Sequence, residues 1–174
     1  YTSGSSGLPK GVPITHGGYS WALEQFQSLG DTMRGKKGIV AAPLFHMNGQ
    51  FHLLNMLSVG MPVVLMKRFD ATGMLKAIER HRVARVTGVP TMAALMADAV
   101  EQGRAGAPQC IEQIGLGSAP LGETLHARLS RLFCNASATN GYGTTETGPG
   151  SFGPHPDGKS TPPTALGYPL KGVE

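Results

Sequence analysis

The chain has 174 residues, 40% of them hydrophobic and 15% charged, enough to bury roughly 70% of its extended surface if it folds as one domain. Its net charge of +4 is scattered, with short basic runs only at Arg34-Gly-Lys-Lys37 and Arg80-His-Arg82, which excludes a nucleic-acid-binding stripe. Cys110 and Cys134 sit at no metal-ligand spacing and give no disulfide framework, and apolar stretches such as 51–59 are far too short to span a bilayer; a cytoplasmic protein is expected.

The chain opens on Tyr1-Thr-Ser-Gly-Ser-Ser-Gly-Leu-Pro-Lys-Gly-Val12. Glycines let several N–H groups converge on one anion, short hydroxyls reach phosphate oxygens at little entropic cost, and Lys10 adds a full charge. The run reads as a phosphate-binding loop or, taken alone, as a plain flexible loop or tag remnant. A Walker loop needs Gly before the lysine and Ser or Thr after it; Pro9 and Gly11 stand there instead, so an ordinary P-loop is disfavoured. A helix is expected over 17–29, with Tyr19, Ala22, Leu23, Phe26 and Leu29 on one face.

From Lys37 onward, short apolar runs alternate with amphipathic segments, the pattern of a mostly parallel α/β sheet with helices on both faces. Strands are predicted at 38–42, 62–66, 84–89, 111–116 and 137–141. Helices are predicted at 49–59, 71–81, 90–101 and 122–133, with Asp70 capping the second and Pro90 in the first turn of the third. Residues 102–109 and the proline- and glycine-rich 149–163 read as irregular connections. The segments 43–49, 115–119 and 140–146 each follow a predicted strand, so they should meet at the carboxyl edge of the sheet, where open α/β sheets bind ligands.

Asn140-Gly-Tyr-Gly-Thr-Thr-Glu-Thr-Gly-Pro149 sets an aromatic ring, hydroxyls and a carboxylate between glycines. Tyr142 can stack on a purine, Thr144 and Thr145 can donate to phosphate, and Glu146 can hold a hard cation such as Mg²⁺; the bland alternative is a tight turn. Together with the first loop, this segment resembles the signature motifs of the adenylate-forming superfamily: acyl-CoA synthetases, peptide-synthetase adenylation domains and luciferases. Further matches follow in order at Pro43-Leu-Phe-His-Met-Asn-Gly49, Gly117-Ser-Ala-Pro-Leu121 and Gly167-Tyr-Pro-Leu-Lys-Gly-Val-Glu174. Lys171 departs from the proline more usual in the last motif. The Pro-Leu-Phe-His form is most like carboxylic acid–CoA ligases.

The resemblance implies that residues 1–174 are a partial AMP-binding domain, an internal piece of the large N-terminal domain, without the N-terminal subdomain and the mobile C-terminal domain. The isolated chain is expected to be inactive. The implied reaction converts a fatty or aromatic acid and ATP to acyl-AMP and pyrophosphate, after which CoA takes the acyl group. ATP, Mg²⁺ and CoA are the implied cofactors, and no nucleic acid is an expected partner. By the same resemblance, Thr2, Ser3, Gly4, Ser5, Ser6, Gly7 and Lys10 surround the β,γ-phosphates, Thr145 contacts the α-phosphate and Glu146 holds the metal. Gly117, Ser118 and Ala119 face one side of the adenine and Tyr142 the other, with Asn140, Gly141, Gly143 and Thr144 completing the nucleotide site. His46 is assigned to the acid, whereas His16 and His52 are read as structural or surface groups. Met47 and Asn48 offer no anion for an α-ammonium group, which disfavours amino acid substrates. Two alternatives stand beside it: an adenylation domain passing its acyl-AMP to a carrier protein or another acceptor, which shares every motif, and a nucleotide-binding or assembly module without turnover.

Overall fold

A computed structural model of the chain describes residues 1–3, 7–27, 32–155 and 157–173. Gly4, Ser5 and Ser6 of the expected phosphate loop lie outside the described residues, as do Leu29 and Glu174. The centre of the fold is a five-stranded, wholly parallel sheet of β3 (Lys37–Val40), β4 (Val63–Leu65), β5 (Val83–Gly88), β6 (Gln113–Leu116) and β7 (Ser137–Asn140), in the order β4-β3-β5-β6-β7. Two small antiparallel ribbons accompany it, β1 (Thr2–Ser3) with β2 (Pro9–Lys10) and β8 (Phe152–Gly153) with β9 (Tyr168–Pro169). The helices are α1 (His16–Gln25), α2 (Met47–Ser58), α3 (Ala71–His81), α4 (Pro90–Glu101) and α5 (Glu123–Leu132).

Local chemistry sets the helix ends. The Asp70 carboxylate accepts from Gly73 N at 2.7 Å and starts α3, Pro90 occupies the first turn of α4 where no N–H is needed, and Thr15 Oγ1 caps α1 by accepting from Gly18 N at 3.1 Å. The α2 helix begins at Met47 rather than at 49, because His46 holds an extended backbone and itself stands as N-cap.

Two apolar layers hold the sheet. The larger one packs Ile39, Val86, Ile114, Leu116 and Ala138 against Met74, Leu75 and Ile78 of α3, Met96 and Ala97 of α4, and Leu129 of α5. The smaller one, on the opposite face, joins Val40 and Ala84 to Met56 of α2, with Met33 and Met61. That second face is covered only in part. Along β6 and β7 the buried residues Ile114, Leu116, Ala138 and Asn140 alternate with the more exposed Gln113, Gly115, Ser137 and Thr139. Parallel sheets are ordinarily covered on both faces, so this open polar half-face is a place where something other than core can lie. Among the described residues, no helix is long and apolar enough to cross a membrane.

Candidate functional site

The strand order reverses between β3 and β5, and their connections leave the carboxyl edge in opposite directions, opening a crevice between them. A cavity of about 780 Å³ begins there and extends over the open faces of β6 and β7. Its walls come from the three segments expected at this edge: His46 to Asn48 on one side, Gly117 and Ser118 in the middle, and Asn140 to Glu146 on the other.

The first wall is the N-terminus of α2. His46 makes no side-chain cap bond and the first turn carries no acid, so the free amides and the positive end of the helix are left for an outside anion. Gly49 explains how the preceding turn fits so closely: a Cβ there would lie 2.5 Å from Pro43 O and 2.6 Å from Ala42 O. The Phe45 and His46 rings lie 4.6 Å apart, and the imidazole is exposed on the cavity wall.

The walls are knitted to one another through the backbone. Gly88 O, at the end of β5, accepts from Asn48 Nδ2 at 3.4 Å and from Gly117 N at 3.1 Å, while Gly141 N donates to Leu116 O at 2.7 Å. Ser118 holds the left-handed conformation at φ 67°, unusual for a residue with a side chain and a mark of a turn built for its shape. With its amide oriented to match its surroundings, the buried Asn140 side chain can donate to Ala119 O at 3.2 Å and accept from Leu121 N at 3.3 Å. In that orientation Asn140 ties the 117–121 turn to β7 while also lining the cavity.

The third wall is a self-closed loop. Thr144 and Thr147 exchange three bonds: Thr144 N to Thr147 Oγ1 at 3.2 Å, Thr147 N to Thr144 Oγ1 at 3.0 Å, and hydroxyl to hydroxyl at 3.0 Å. This engages the Thr144 hydroxyl within the loop and presents Thr145 and Glu146 at its tip. Thr147 is not among the site residues that the motifs suggest, although two threonines at i and i+3 are a recognisable turn signal. Gly143 sits where a Cβ would meet Gly148 O at 2.6 Å. The Tyr142 ring, 46% exposed, is held edge-on by Phe152 at 5.9 Å and offers its free face to the cavity.

Charge in the cavity is sparse. Among the described lining residues, Glu146 is the one carboxylate and Arg85 the one guanidinium. No cluster of three metal-ligating side chains exists among the described residues. A lone exposed carboxylate suits Mg²⁺, which keeps much of its water and completes its shell with substrate phosphates; it does not suit a metal caged by protein alone. Thr2 and Lys10, opposite one another in the β1–β2 ribbon, do not line the cavity, and neither does Gly7, at φ 79°. His52, read from the sequence as a structural or surface group, is a half-buried residue of α2. Its Nδ1 is buried without a hydrogen-bond partner among the described residues, its ring lines the cavity, and burial together with the nearby Arg85 charge pushes it down to about 3.

The family model described as AMP-binding enzyme matches residues 1–174. The chain belongs to this family. Curated relatives include a feruloyl-CoA synthase of Amycolatopsis sp, 37% identical over 152 residues, covering 86% of this chain and 30% of the relative. Another is a 2-succinylbenzoate–CoA ligase of Bacillus velezensis, 36% identical over 148 residues, covering 84% of this chain and 29% of the relative. Among solved structures, the O-succinylbenzoate coenzyme A synthetase (MenE) of Bacillus subtilis in complex with ATP and magnesium ion superposes with a TM-score of 0.80 at 29% identity, over 98% of this chain and 35% of that one. This AMP-binding chain therefore spans about 30% of the length of the curated relatives it matches.

Proposed function

We propose that this chain contributes the nucleotide and acid sites of an AMP-forming carboxylic acid–CoA ligase. The observation that carries the reading is the convergence of three loops, tied through Gly88 O and Leu116 O, on one cavity at the strand-order reversal. A carboxylate attacks the α-phosphorus of ATP, pyrophosphate leaves, and the thiol of CoA then displaces AMP from the acyl-adenylate. An anion attacking a polyanion needs charge neutralisation and in-line placement more than covalent help, and the residues at hand match those needs.

The 117–119 backbone and Tyr142 bracket the adenine. Thr145 donates to the α-phosphate, Glu146 would hold Mg²⁺, which when bound neutralises phosphate charge, and Thr2 and Lys10, on the ribbon outside the cavity wall, would reach the β,γ-phosphates where they extend beyond it. The α2 amides and His46 receive the acid's carboxylate, holding it near the phosphate. Met47, Phe51 and Val89 give the acid an apolar wall, which favours an aliphatic or aromatic acid over an α-amino acid.

In the complete protein, Lys10→Ala and Glu146→Gln should each lower acid-dependent ATP–pyrophosphate exchange by about 10²-fold or more, the scale on which removing one charge-stabilising group acts. Exchange left unchanged by both substitutions would overturn these roles.

A further inference from the structure

Arg85 is 94% buried by its 6% exposure, lines the cavity, and forms no ion pair among the described residues. Its one hydrogen bond among the described residues runs from Nη1 to Asn55 Oδ1 at 3.1 Å, leaving most of a five-donor fork unused there. Around it the unused capacity accumulates: Asn55 Nδ2 and His52 Nδ1 are both buried and both without partners among the described residues. Buried charges are ordinarily paired, and buried polar atoms bonded, because leaving them bare is costly. Three such groups side by side, two of them on the cavity wall, describe a receptor for an anion. Burial holds the guanidinium below its usual range, with no neighbouring carboxylate among the described residues to raise it.

Position says which anion. Arg85 lies three residues before Gly88 on β5, about 10 Å down the strand from the carboxyl edge. His52 lies six residues into α2 from His46, about 9 Å along the helix axis in the same direction. The two elements run side by side from the edge where the acid would be activated to the Arg85 level, with Met47, Phe51 and Val89 between. The phosphates of a nucleotide at Tyr142 and Thr145 belong to the edge, whereas Arg85 faces the remote end of whatever acid enters.

We propose that Arg85, supported by His52 and Asn55, binds a second carboxylate at the distal end of the acid, so that the preferred substrate is a dicarboxylic acid. The assignment rests on the ligase reading above. An Arg fork takes a carboxylate through two parallel N–H donors, and Asn55 Nδ2 and the neutral His52 ring can add further bonds.

The test is ATP–pyrophosphate exchange by the complete protein with matched pairs, octanoate against suberate and cinnamate against 4-carboxycinnamate. The diacid of at least one pair should be favoured in kcat/KM by 10-fold or more. In Arg85→Met that preference should fall at least 10-fold or invert, and Arg85→Lys should restore part of it, keeping charge but losing the fork. A merely structural arginine would lower both members of a pair together and leave their ratio alone. Preference for the monoacids in the wild-type protein would overturn the proposal without touching the ligase reading, and it needs no variant to fold. Exchange with none of the acids, while nucleotide still binds, would instead take down the ligase reading and this proposal with it.

Discussion

His52 links burial to a measurable pH dependence. Its pKa falls from about 6.5 in an unfolded chain to about 3 in the fold, so between those values the unfolded state holds more protons than the native one. Stability therefore rises with pH across that window and levels off above it, by at most about 1.4 kcal/mol per pH unit; the part of the ring that reaches the cavity lowers this. Urea denaturation at pH 7, 6 and 5 should show a falling midpoint, and His52→Gln should flatten the trend; an identical slope in the variant would show that other groups set it. Gly49 makes a second case at this scale. A methyl group there has no flexible neighbour to push aside, only the carbonyls of Ala42 and Pro43, so Gly49→Ala should cost about 1–3 kcal/mol and shift the His46 wall. A denaturation midpoint equal to wild type would contradict that packing.

Among the elements, those whose boundaries are written in their own residues were the ones legible in the sequence. The helices over 71–81 and 90–101 agree with expectation at both ends, since Asp70 and Pro90 carry their start signals locally. Asp70→Ala should then lower unfolding free energy by about 1 kcal/mol through loss of the bond to Gly73 N, checked by chemical denaturation; no change would mean the cap is replaced by solvent. The start of α2 was misplaced by two residues because a histidine N-cap without a side-chain bond leaves no signature. Site residues divide in the same way. His46, Tyr142, Thr145 and Glu146 were legible from their motifs and all line the cavity. The anchoring of the 117–121 turn by Asn140, the closure of the loop by Thr147, and the Arg85–Asn55 pair were not, since each depends on a partner that only the folded chain brings near. In the sequence, Arg85 is one arginine inside an apolar strand; its lack of a counterion among the described residues is a property of β5 and α2 packed together.

At the scale of the whole molecule, the sheet has one complete face and one half-open face, and the cavity occupies the open half. The larger core lies wholly on the α3–α5 side, so the site can be rearranged by ligand without disturbing most of the apolar packing that stabilises the chain. The curated relatives extend well beyond the matched region, and turnover is accordingly a property to be measured on the complete protein. The most direct measurement is ATP–pyrophosphate exchange by the complete protein and by residues 1–174, across aliphatic and aromatic acids with glycine and alanine as controls. The account predicts exchange by the complete protein with a non-amino acid, followed by thioester formation when CoA is added, and none with either amino acid. Exchange supported by glycine or alanine, or nucleotide binding without exchange for any acid, would contradict it.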